Sequence, residues 1–140
     1  MNSSENCIFC KIVRNAIPAI KVYEDDLTLT FMDINPASPG HSLVISKAHA
    51  ANLLEIAEAD LLAVTKMTQR IARATQKALT PDGLRIGQFN GAAAGQTVLH
   101  YHVHIVPMRE GQRTDAHGRA PGDPEELKAL AAQIREALAN

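Results

Sequence analysis

Three imidazoles within five residues are the chemically loaded feature of this chain. In residues 95–108, GQTVLHYHVHIVPM, His100, His102 and His104 alternate with Leu99, Tyr101, Val103 and Ile105. On a helix the three would spread over about 200° at ~100° per residue, whereas alternate positions on a strand share one face. The pattern predicts a strand with histidine on one side and apolar core on the other. Neighbouring neutral imidazoles can ligate a transition metal, or they can supply a nucleophile and hydrogen-bond donors to an anion. A solvated face with incidental histidines fits poorly with the unbroken apolar side opposite.

A second chemical feature is Cys7 and Cys10 in CIFC, the only two cysteines. No βαβ unit surrounds them, as a thioredoxin-like redox pair would need. The C-x-x-C spacing can set two thiolates on one tetrahedral ion, leaving two ligands to come from elsewhere. His49 and His100 are candidates, and two unpaired structural cysteines are the alternative.

The remaining chain supplies elements to position these groups. Residues 9–15 can form a short helix stopped by Pro18. Residues 19–24 and 27–33 read as two strands joined by a tight Asp25-Asp26 turn. Asp33 ends the second strand, a turn-rich NPASPG follows, and His41 opens a third strand over 41–46. Taken alone, His41 reads as an exposed, water-bound imidazole. From 58 to 79, Leu61, Val64, Met67, Ile71, Ala74 and Ala78 recur at spacings of three and four, the mark of an amphipathic helix ended by Pro81-Asp82-Gly83. Residues 84–89 supply a fourth strand, and the small-residue loop NGAAAG (90–95) lets a ligand approach the backbone. Residues 109–122, which contain His117, read as a surface loop, and His117 is given no role. Asp123, Pro124 and Glu126 suit N-cap, first and third positions of a terminal helix whose buried stripe is Leu127, Leu130, Ile134 and Leu138. The expected fold is α+β: an antiparallel sheet of about five strands, one long helix and a C-terminal helix, in one domain over 1–140.

Lys plus Arg number 14 against 15 for Asp plus Glu, a formal net charge of -1 over 140 residues. No global basic field draws the chain to nucleic acid or a membrane surface. The opening MNSSENC is not a basic segment followed by an apolar stretch, and no run approaches ~18 apolar residues. The expectation is a cytoplasmic protein.

The run HYHVHIV (100–106), preceded by Gly95-Gln96-Thr97, resembles the signature of the histidine-triad superfamily. The likeness extends from CIFC through Asp33-Ile34-Asn35-Pro36 and His41 to the triad. It implies a homodimeric α+β nucleotide-binding protein that hydrolyses or transfers nucleotidyl groups at the α-phosphate of purine nucleotide derivatives, phosphoramidates or dinucleoside polyphosphates. By that resemblance His102 is the nucleophile, its second ring nitrogen held by the backbone carbonyl of His100. His104 and His41 donate hydrogen bonds to phosphate oxygens. Gln96, Thr97 and Asn90 line the phosphate site, and Asp33 holds the ribose. The likeness also implies a structural zinc on Cys7, Cys10, His49 and His100, and no organic cofactor. This chain has Thr97 where many nucleoside phosphoramidases have Ser. It lacks Trp and closes in a helix where they have a Trp-containing tail. Two rival functions belong to other classes: an AMP-binding regulatory module with little catalysis, and a metallohydrolase ligated by His100, His102 and His104.

Overall fold

The computed structural model describes residues 4–112, 118 and 120–139. His117 and most of the segment around it lie outside those residues.

Strands β1 (Lys21–Glu24) and β2 (Thr28–Met32) form the first hairpin. Its turn is closed by Asp25, whose Oδ1 accepts from Leu27 N at 3.0 Å and from Thr28 N and Oγ1 at 2.8 and 2.9 Å. Strand β3 (Ser42–Ser46) pairs with β2, then with β5 (His102–Met108), and β4 (Gly83–Gly87) takes the far edge. All neighbours are antiparallel, in the order β1-β2-β3-β5-β4. Among the described residues three α-helices join the sheet: α1 (Ile8–Val13), α2 (Glu58–Leu79) and α3 (Pro124–Ala139). The expected α+β architecture is thus what the chain adopts.

The amphipathic stripe of α2 buries Val64, Met67 and Ile71 against Val44, Val103 and Ile105, and α3 adds Leu127, Ala131 and Ile134. Asp123 caps α3, accepting from Glu126 N at 3.3 Å. Alternate residues of the same strands form a second core: Leu29, Phe31, Leu43 and Ile45 pack with Phe9 and Ile12 of α1. Side chains alternate across a pleated strand, so two covered faces bury every residue of β2 and β3.

This corrects two expectations. Apolar core was expected only on the side opposite the histidines, and the histidine side carries a second one. The strand also begins later than the alternation suggested: residues 98–100 form a turn, with His100 N donating to Val98 O, and β5 starts at His102. Leu99, expected in the core, is 61% exposed because its position in that turn has no strand neighbour to cover it. Other boundaries moved by one to a few residues, while α2 spans the expected 58–79. Among the described residues no helix is long and apolar enough to cross a membrane.

Candidate functional site

Pairing of β3 with β5 sets His104 opposite Leu43 and His102 opposite Ile45, so both imidazoles point into the second core. They lie side by side there, ring centroids 5.0 Å apart, and each is almost fully buried. His102 Nδ1 is 2.6 Å from the carbonyl oxygen of His100. A carbonyl only accepts, so Nδ1 carries the hydrogen and the lone pair of the neutral ring is at Nε2. The ring is held edge-on by Phe9 at 5.1 Å.

His41, at the mouth of β3, is fully buried, against its reading as an exposed imidazole. Its Nε2 is 2.9 Å from His104 Nδ1 and 3.5 Å from Asp33 Oδ2, and its Nδ1 accepts from Ala37 N at 2.9 Å. His41 thus stands behind His104, off the cavity wall. The register of β2 with β3 brings Asp33 here: Met32 faces Ser42, and Asp33 N donates to His41 O.

A cavity of about 260 Å³ opens onto the two rings. Its polar wall is Asp33, Asn35, Thr97, His102 and His104, and its apolar wall includes Phe9, Ile12, Phe31, Leu43 and Val98. The expected Asp33, Thr97, His102 and His104 are therefore gathered at one opening. Gln96 and Asn90 have their amides engaged in holding loops. Gln96 donates to the carbonyls of Ala51 and Val98 and accepts from Gly91 N. Asn90 accepts from Leu53 N and pairs with Gln88. Sequence reasoning missed the apolar wall. The i,i+4 pair Ile8 and Ile12 on α1 hints at it, but Phe31 and Leu43 join it only through cross-strand pairing.

His100 turns away from its two triad neighbours. Its Nδ1 is 3.3 Å from Cys7 Sγ, 3.5 Å from Cys10 Sγ and 3.3 Å from His49 Nδ1, and Cys10 Sγ is 3.3 Å from His49 Nδ1. An ion with Zn–N bonds of about 2.0–2.1 Å and Zn–S of about 2.3 Å, bound tetrahedrally, sets N···N at about 3.3 Å and S···N at about 3.5 Å. The four residues fit such an ion. His100 Nε2 faces the carbonyl of Ser46 at 2.7 Å, so it carries the hydrogen and leaves Nδ1 a lone pair for a metal. Burial pushes His100 down to about 4, keeping it neutral, and raises the Cys10 thiol. Among the described residues, His100, His102 and His104 do not form one ligand set, which removes the geometry of the metallohydrolase reading.

Residues 14–111 match the model of the HIT domain family. The adenosine 5'-monophosphoramidase hnt1 of Schizosaccharomyces pombe is 39% identical over 131 residues, covering 92% of this chain and 96% of that protein. A crystal structure of a Hit-like protein involved in cell-cycle regulation from Bartonella henselae, with an unknown ligand, superposes with a TM-score of 0.91 at 44% identity, covering 98% of this chain and 99% of that one. A Zn-bound histidine triad family protein from Mycobacterium smegmatis superposes at 0.86 with 38% identity over 98% and 96% of the two chains.

Proposed function

The chain belongs to the HIT-domain family, and on that footing we propose that it hydrolyses or transfers nucleotidyl groups at the α-phosphate of purine nucleotide derivatives. The favoured substrates are adenosine 5'-phosphoramidates, in keeping with the activity named for the fission-yeast relative. Dinucleoside polyphosphates would undergo the same reaction with a different leaving group. His102 Nε2 attacks the α-phosphorus, the bond to the leaving group breaks, and a nucleotidyl-histidine forms. Water then attacks the same phosphorus, AMP departs, and the electron pair returns to the imidazole. The observation that carries this reading is the 2.6 Å contact from His102 Nδ1 to the His100 carbonyl. It commits the hydrogen to the far nitrogen and eases the positive charge that grows on the ring as the bond forms.

His104 donates a hydrogen bond to a phosphate oxygen, and His41 acts through His104. Thr97 offers a hydroxyl at the same opening. Asp33 lines the cavity and accepts from the ribose hydroxyls, its carboxylate having lone pairs beyond those that take Asn35 N and face His41 Nε2. The apolar walls of Phe9, Phe31 and Leu43 suit a purine ring. Gln96 and Asn90 serve the site by bracing the loops around it.

Cys7, Cys10, His49 and His100 would hold a zinc ion, which, with four protein ligands and no open position, supplies rigidity and not water activation. We further take the chain to act in the cytoplasm as a homodimer. Exposed Ile86 on the edge strand β4, with Leu54 and Leu62, offers apolar surface for a second copy. His102→Asn tests the mechanism: AMP release from adenosine phosphoramidate should fall by at least 10³-fold while AMP binding by calorimetry persists. Full turnover in the variant overturns the covalent route, and binding without release in the wild type favours the regulatory module.

A further inference from the structure

We propose that the backbone N–H of Ala37 fixes the tautomer of His41 and, through it, that of His104, so that His104 meets the substrate as a neutral donor at Nε2. The inference deepens the hydrolase reading and rests on it for its catalytic consequence, though the tautomers can be observed without any substrate.

Ala37 N lies 2.9 Å from His41 Nδ1, and a peptide nitrogen only donates, so Nδ1 must keep its lone pair. The hydrogen of neutral His41 then sits on Nε2. Facing that nitrogen are His104 Nδ1 of β5 at 2.9 Å and, just past the end of β2, the acceptor Asp33 Oδ2 at 3.5 Å. The nearer contact requires a lone pair on His104 Nδ1. His104 must in turn carry its hydrogen on Nε2, and His104 lines the cavity beside His102.

Three consequences follow from one amide. His104 is held as a donor of a hydrogen bond and not as a carrier of two protons, because a hydrogen on its Nδ1 would meet the hydrogen on His41 Nε2 across 2.9 Å. His102 and His104 end with opposite functions at the Nε2 atoms of neighbouring rings, a lone pair on one and a hydrogen on the other, set by different main-chain groups, the His100 carbonyl and the Ala37 amide. Asp33, His41 and His104 lie close enough together to suggest a ligand set, but a metal at that point needs a lone pair on His41 Nε2, and the Ala37 amide has already claimed the other one. Ala37 belongs to the loop between Asp33 and His41, so the segment that faces the sugar also sets the donor that meets the phosphate. Ala37 is a positioning residue that works entirely through its main chain, which is why side-chain reasoning passes over it.

Long-range ¹H–¹⁵N spectra of protein labelled in histidine ring nitrogens test this on the unmodified chain. The expected result is the Nε2–H tautomer at both His41 and His104 and the Nδ1–H tautomer at His102. An Nδ1–H at His41, or a doubly protonated His104 at neutral pH, overturns the proposal. Replacing Ala37 with lactic acid, which exchanges the N–H for an ester oxygen and keeps the methyl group, should convert His41 to Nδ1–H and His104 to the opposite tautomer. With that change kcat/KM for adenosine phosphoramidate should fall at least tenfold. Unchanged ring tautomers in the ester variant also refute the assignment. If the wild type releases no AMP, the hydrolase reading fails while the spectra still decide the tautomers.

Discussion

His100 combines two tasks that one substitution separates. Its ring supplies Nδ1 to the cysteine cluster and an Nε2–H to the Ser46 carbonyl, while its own carbonyl, which any residue possesses, orients His102. His100→Ala removes the ring and keeps the carbonyl. The Ser46 carbonyl is then buried without that donor, at about 1–3 kcal/mol, and the vacated ring volume adds about 2 kcal/mol. Each kcal/mol moves the melting midpoint of a chain this size by about 3–5 °C, so Tm should fall by roughly 10–20 °C while kcat stays within about tenfold. A pH signature accompanies this in metal-free protein. Burial holds folded His100 near 4 against an ordinary value of 6.5, so the unfolded chain takes up the proton first. Stability is therefore complete above pH 6.5 and declines as the pH falls toward 4, by about 3 kcal/mol at about 1.4 kcal/mol per pK unit. Urea unfolding of chelated wild type and variant between pH 7.5 and 4, run beside AMP-release assays, reads both effects. The reasoning is refuted if the variant keeps its midpoint but loses kcat by a thousandfold, or if the two proteins show the same slope against pH.

Two other perturbations probe the scaffold that delivers the site. Gly40 has φ +95°, and a Cβ there would lie 2.5 Å from Leu79 Cδ1 and 3.0 Å from Pro107 Cγ; Gly40→Ala should cost about 1–3 kcal/mol, read by thermal unfolding, and unchanged stability would contradict the close approach of the loop before His41. Burial alone would raise the Asp25 carboxyl, but the donors from Thr28 and Leu27 outweigh it and hold the group below its ordinary 3.8. The stability this contributes is present above pH 3.8 and is lost as the pH falls through the lower folded value. Asp25→Ala should therefore be less stable than wild type at pH 7, with the gap narrowing below pH 4; a gap that widens on acidification would be inconsistent with the assignment.

Much of the scaffold was legible because its signals are local. Spacings of three and four between Leu61 and Ala78, closed by Pro81-Asp82-Gly83, specify α2 without reference to any other part of the chain. Asp123, Pro124 and Glu126 do the same for the start of α3, and the Asp25 turn for the first hairpin. Alternation correctly assigned His102 and His104 to one side of a strand. It misassigned Leu99 and set His100 in the same row, because periodicity cannot reveal that the chain turns at 98–100 before the strand begins.

The sequence alone determined which residues are candidates for chemistry, since residue type and spacing are properties of the chain, and it determined the order of helices and strands, since these follow from near neighbours. The tertiary structure decided what each imidazole meets. His41 meets His104 across 63 positions of chain, and Cys10 meets His100 across 90, so only the pairing register could bring them together. Imidazole has two nitrogens of nearly equal proton affinity, and which of them carries the hydrogen is settled by whatever the fold sets beside it: a carbonyl for His102, an amide for His41, a second ring for His104.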